Sequence, residues 1–200
     1  MFYAILSISA FVVAITLHET AHGYVAYRLG DPTAHSAKRL TLNPLAHIDP
    51  FGTVLLPLFL ALTGAPVFGW AKPVPFNPGY FKDPQKGTML VGAAGPATNL
   101  VVAVLAGMLY RALPVLPPIP RAFLELLCIV NVYLAVFNMI PIPPLDGSRV
   151  VVGFLPPHLV RAYLSIERYG FLIIFGLLWL GALRTVVFPV AEALFTVLLG

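Results

Sequence analysis

Histidine at position 18, glutamate at 19 and histidine at 22 are the residues of this chain most plainly suited to chemistry. On an α-helix, positions i and i+4 share a face. Both imidazoles can therefore reach one ion, while the intervening carboxylate stands beside the water that ion would hold. Two nitrogen ligands and a proton acceptor at this spacing are what zinc-dependent hydrolysis needs. The metal lowers the pKa of its water to about 7 and polarises the carbonyl under attack. The ordinary alternative is a helix end reaching polar headgroups, since Tyr24, Tyr27 and Arg28 follow closely. Against it, the seventeen residues before His18 include no histidine and no charged side chain. A charge at membrane depth costs from about 2.5 kcal/mol upward, so such a cluster points to function.

Zinc takes a third protein ligand and leaves a fourth position open. Eight acidic residues are available. Asp31, Asp49 and Asp83 fall in loops, while Glu125, Glu167 and Glu192 fall on apolar stretches without a supporting motif. Asp146 closes the run Asn138-Met-Ile-Pro141-Ile-Pro143-Pro144-Leu-Asp146-Gly147. Its prolines end the preceding helix, and the opened backbone can turn Asp146 inward at the membrane face that His22 occupies. Capping of the following helix is the ordinary alternative for this residue.

The elements that must position these groups are membrane helices. Apolar residues make up 59% of the 200-residue chain and charged residues 10%, against about 45–50% and 25% in soluble domains. Mean hydropathy is +0.90, which excludes both a water-soluble globule and a solvated disordered chain. The single cysteine, Cys128, excludes an intramolecular disulfide and a thiolate cluster. The net charge of +4 is scattered, with no basic face suited to nucleic acid.

A crossing helix needs about 20 apolar residues. Met1 to Leu29, Met89 to Leu113, Phe123 to Ile140 and Leu164 to Leu183 qualify or come close, and Val186 to Leu199 reads as a tilted or partial span. The opening stretch has no Lys or Arg before Arg28, so it reads as a retained helix rather than a signal peptide. Phe51 to Val67 is apolar but short, and Pro57, Gly64 and Pro66 interrupt it. Such backbone survives at membrane depth only where protein or a wet cavity satisfies it. With the N-terminus outside and this segment re-entrant, nine basic residues fall inside and three, Arg111, Arg121 and Arg184, outside. That positive-inside bias favours the re-entrant path.

Taken together, these motifs resemble the site-2 protease family of intramembrane zinc metalloproteases. The match rests on His18-Glu-x-x-His22, on the 138–147 run, and on Gly95-Pro96-Ala97-Thr98-Asn99. Asn43-Pro-Leu-Ala-His47-Ile-Asp49-Pro50-Phe-Gly52 and Ala71-Lys72-Pro73-Val74-Pro75 are similar to the short prokaryotic branch. The resemblance implies an all-α polytopic membrane protein. It has a three-helix catalytic core (about 1–29, 89–113 and 123–140), a re-entrant β/loop element at about 51–86, and one or two extra C-terminal transmembrane helices. The core would occupy 1–155 and the C-terminal helices 156–200, with no room for the PDZ or CBS domains of larger members. It further implies that His18, His22 and Asp146 bind one zinc ion and that Glu19 is the general base. Asn99 and Asn138 would hold the substrate backbone or stabilise the oxyanion.

The expected activity is hydrolysis of peptide bonds within or near transmembrane segments, as in regulated intramembrane proteolysis. The partners would be a transmembrane protein substrate and the lipid bilayer, not nucleic acid, with self-association into a homo-oligomer left open. A multi-pass protein of the cell membrane follows, with its site near the cytoplasmic side. Two alternatives remain: a non-catalytic scaffold of the same fold, which would have no chemical reason to keep Glu19, and a metal transporter, which would spread ionisable residues over several helices. For Asn99 and Asn138 the alternative is interhelical hydrogen bonding, and Asn131 reads as packing. His35, His47 and His158 read as loop or interfacial residues, and Cys128 as a small buried hydrophobe.

Overall fold

The computed structural model describes residues 2–64 and 69–200. Met1 and the 65–67 end of the expected re-entrant segment lie outside the described residues. Among the described residues the fold is helical throughout: α1 (Phe2–Arg28), α2 (Thr33–Ser36), α3 (Leu56–Thr63), α4 (Pro84–Ala112), α5 (Pro118–Asn138), α6 (Asp146–Val152), α7 (Pro157–Leu164), α8 (Glu167–Trp179) and α9 (Ala182–Leu199). Four of these, α1, α4, α5 and α9, are long and apolar enough to cross a membrane. This is an all-α polytopic membrane architecture.

Helix starts follow capping rather than the edges of the apolar runs. α4 begins at Pro84, not Met89, because the Asp83 carboxylate accepts the Lys86 N–H at 3.1 Å and proline suits the first helical position. α5 begins at Pro118, not Phe123, again with proline in its first turn. α4 is the central helix and packs on α1, α5, α6 and α9. Small residues line these seams: Ala14, Ala103, Ala106, Ala135 and Ala191 are buried. They let helix backbones approach where lipid offers no hydrophobic penalty for separation. Large apolar side chains such as Ile8, Phe59, Leu105 and Val197 point outward, as they would toward lipid.

The C-terminal helices depart from expectation. Leu164 to Leu183 is not one continuous helix. Instead α7 and α8 are bent by 61° at their junction, and α8, with 13 residues, extends about 20 Å, short of the roughly 30 Å of hydrocarbon. α8 stays at the Asp146 end of the bundle, where Ile174 packs with Ile140, Leu145, Leu183 and Val187. The fourth helix long and apolar enough to cross is α9, whose 186–199 part reads from the sequence as a tilted or partial span. It starts beside Ile140 and Leu145. It ends where Leu198 packs near Ala103 and Ala106 and where Arg111 Nη1 donates to Val197 O at 3.1 Å. Apolar content alone does not separate a helix laid against the end of a bundle from one that crosses. Arg184 therefore joins the site end, so ten of the twelve basic residues sit there, leaving Arg111 and Arg121 at the other end.

The 51–67 region does not form a crossing helix among the described residues. A π-helical turn, Pro50–Leu55, runs into α3, and the chain then returns to its starting point. Trp70 N–H donates to Gly52 O at 3.0 Å, and the Thr53 hydroxyl donates to Trp70 O at 2.8 Å. Residues 52–53 and 70 are thus held side by side. Of the β/loop alternatives the loop is realised: residues 69–77 run beside α1 without a strand partner, and no strand occurs among the described residues.

Candidate active site

His18, Glu19 and His22 sit in the second half of α1, and all three are buried. α5 ends at Asn138, and the proline-rich turn carries the chain to Asp146, the first residue of α6. Asp146 makes no capping hydrogen bond; its side chain faces the histidines. Asp146 Oδ2 lies 3.0 Å from His18 Nε2 and 3.1 Å from His22 Nε2. The two Nε2 atoms are 3.0 Å apart.

The hydrogen-bond partners assign the tautomers. His18 Nδ1–H donates to Asn99 Oδ1 at 2.6 Å, and His22 Nδ1–H donates to the Val91 carbonyl at 2.6 Å. With both Nδ1 atoms carrying hydrogen, neutral rings present Nε2 lone pairs. Two nitrogen lone pairs and a carboxylate oxygen then converge with no donor between them. That repels unless a cation stands at the centre. Ligand atoms about 2.0–2.1 Å from a tetrahedral ion lie roughly 3.3 Å apart, close to the observed triangle. His18, His22 and Asp146 thus suit a divalent metal, with a fourth position left toward the cleft.

The Glu19 carboxylate is fixed from the other side, because Val74 N–H donates to its Oε2 at 2.9 Å. Val74 belongs to the returning segment, which Asp31 anchors. Fully buried after the end of α1, Asp31 accepts the Thr33 N–H at 2.9 Å, the Thr33 hydroxyl, and the Asn77 N–H at 2.6 Å. Metal ligands, carboxylate and returning segment all border a cleft of about 380 Å³, which also receives Phe11, Ile15, Phe137 and Asn138.

The second half of the chain carries the family's mark. The family whose model matches residues 116–180 is described as Peptidase family M50. "Putative zinc metalloprotease YwhC" of Bacillus subtilis (strain 168) is 39% identical over 170 residues, covering 81% of this chain and 74% of that protein. The chain belongs to peptidase family M50. A second M50-like relative, "Putative zinc metalloprotease Rip2" of Mycolicibacterium smegmatis, is 36% identical over 184 residues, covering 90% of this chain and 69% of that protein. No solved structure matches the chain.

In this M50 chain one expected substrate group is committed elsewhere. Asn99 is fully buried. Its oxygen accepts from His18, and its Nδ2 donates to Ala14 O at 3.2 Å and to Asn131 Oδ1 at 2.7 Å. Asn131 in turn donates to Leu127 O at 2.8 Å. With both amide hydrogens used, Asn99 has no donor to offer a substrate or oxyanion. It holds the His18 ring through a network spanning α1, α4 and α5, an arrangement common around metal-binding histidines. Asn138 does border the cleft, although its Nδ2 donates to Leu134 O at 3.0 Å. Sequence reasoning missed Arg149, which ion-pairs with Asp146, and set aside Glu167, which lies at the cleft. Only the spacing of Arg149, one helical turn after Asp146, could have pointed to it.

Gly95 faces the two rings. A Cβ there would lie 2.4 Å from His22 Nε2 and 2.5 Å from His18 Cε1, with no slack because both rings are tethered at Nδ1. Gly95→Ala is therefore expected to leave helical content intact while weakening metal binding on the order of 10–100-fold, read by competition with a chromophoric chelator. Wild-type affinity in that variant would contradict the geometry.

Proposed function

We propose that this M50 chain is an intramembrane zinc metalloprotease that cleaves peptide bonds within or near transmembrane segments of substrate proteins, in the manner of regulated intramembrane proteolysis. One zinc ion would be held by His18, His22 and Asp146, and Glu19 would act as general base. The observation that carries this reading is the convergence of one ligand atom each from His18, His22 and Asp146 next to Glu19, inside a bundle of helices apolar enough to span lipid.

When bound, zinc lowers the pKa of water and polarises a peptide carbonyl. Glu19 takes the proton from the attacking water and delivers it to the amide nitrogen as the carbon–nitrogen bond breaks. A substrate helix must unwind first, because helical hydrogen bonding occupies its carbonyls. The extended segment can receive the unwound chain by β-augmentation. The N–H groups of Trp70, Lys72 and Val74 are turned toward Gly52, His47 and Glu19. Since successive residues of an extended chain alternate in direction, Ala71 and Pro73, which border the cleft, would present their carbonyls to substrate N–H groups. Asn138 would hold the substrate backbone from the α5 side. By the positive-inside rule, the basic residues gathered at the site end would favour a cytoplasmic site and an N-terminus outside the cell membrane. The partners are then a transmembrane substrate and the surrounding bilayer.

The test is reconstitution of the full chain in liposomes with a synthetic transmembrane peptide, with products mapped by mass spectrometry. Cleavage is expected in or beside the membrane segment, lost on chelation and restored by zinc. Zinc entry into the liposomes without cleavage would replace this reading with a transporter.

A further inference from the structure

Arg149 touches both halves of the site. It stands one turn after Asp146 on α6, and its Nη1 donates to Asp146 Oδ1 at 2.9 Å. The other carboxylate oxygen, Oδ2, is the one that meets both histidines. The guanidinium carbon also lies 5.3 Å from the centre of the Phe76 ring, within cation–π range. Phe76 belongs to the returning segment, two residues after Val74, whose N–H holds Glu19, and one before Asn77, whose N–H is held by Asp31. The backbone beneath Arg149 is pinned as well: a Cβ on Gly92 would lie 2.6 Å from Arg149 Cβ, so α4 and α6 meet there without slack.

Resting on the zinc-protease reading, we infer that Arg149 is a positioning residue that keeps Asp146 a one-oxygen ligand and ties that ligand to the segment that receives substrate. The physical reason is a competition for the two carboxylate oxygens. A carboxylate with both oxygens available can close onto a metal through both, filling the coordination position that water must occupy. Arg149 removes Oδ1 from that competition with a charge-assisted hydrogen bond, and the buried carboxylate has little solvent to replace it. Lysine keeps the charge but lacks the planar group that can pair with Asp146 and lie against Phe76 at once.

The experiment compares wild type, Arg149→Gln and Arg149→Lys, full length in detergent micelles. Zinc affinity is read by chelator competition, and coordination geometry by the visible absorption of the cobalt(II)-loaded protein. Glutamine is expected to weaken zinc binding about 10–100-fold and to convert the intense tetrahedral cobalt bands to weaker five-coordinate ones. Lysine is expected to recover part of the affinity. Unchanged affinity and an unchanged cobalt spectrum in Arg149→Gln would overturn the inference and leave the zinc site standing. If Arg149→Gln does not fold, a wild-type cobalt spectrum in Arg149→Met, which has no donor for Oδ1, overturns it equally. Absence of zinc binding in the wild type would instead overturn the protease reading, and the inference with it.

Discussion

Replacing Glu19 with glutamine is expected to abolish peptide cleavage, by about 10²–10⁴-fold or to the detection limit, while zinc content stays at the wild-type level. Glutamine has nearly the same shape, and its carbonyl oxygen can still accept the Val74 N–H that holds Oε2 at 2.9 Å. What it lacks is a basic oxygen, so it can neither take a proton from water nor return one to the leaving amine. Because Glu19 is not one of the three converging ligand atoms, the metal has no reason to leave. The measurement is the initial cleavage rate in liposomes beside the metal content of the same sample. A zinc-loaded Glu19→Gln that still cuts would remove Glu19 from the chemistry.

Asp146→Ala should behave in the opposite way, losing metal first and activity as a consequence. The two histidines remain, tethered to Asn99 and Val91, but two neutral nitrogens without an anion make a weak site for a divalent ion. Arg149 is left beside them without its carboxylate, adding positive charge where a cation must bind. A ligand that binds only the folded state stabilises it by RT ln(1 + [L]/Kd), about 4 kcal/mol at a thousandfold excess over Kd. Wild type should therefore melt at a higher temperature as zinc is added, and Asp146→Ala should show no zinc-dependent rise. An equal rise in both would mean that the ion sits elsewhere. Thermal unfolding of the two detergent-solubilised proteins over a zinc series decides the matter.

Local sequence carries the chemistry of this protein further than its layout. His18, Glu19 and His22 need only one helix to come together, since the 3.6-residue period puts both rings on one side, so five letters suffice to recognise the group. The run from Asn138 to Asp146 is legible for a related reason: its prolines must end a helix, and a carboxylate placed there is not idle. Charge placement favoured a re-entrant path for 51–67, but whether strand or loop would build the element was not legible.

Elsewhere the deciding contacts join residues far apart in the chain. Asn99 looked like a substrate group because its type and motif allow it, yet Asn131, 32 positions away, consumes one amide hydrogen and His18 consumes the oxygen. The apolar run at 164–183 satisfied the composition of a crossing helix, but a 61° bend separates α7 from α8, and α9 is the helix long and apolar enough to cross unbroken. Arg149 had no motif of its own and became visible only once α6 lay against α4.

Residue type, helical period and the cost of charge in lipid determined from the sequence alone that this is a multi-helix membrane protein with a histidine pair and an acid suited to a metal. Tertiary structure alone decided that Asn99 is hydrogen-bonded to a histidine ring rather than free for a substrate, that Arg149 pairs with Asp146, and where the C-terminal helices bend. The reason is geometric. A ligand set, a hydrogen-bond relay and a helix seam are relations between separate elements, and their energies exist only once those elements touch.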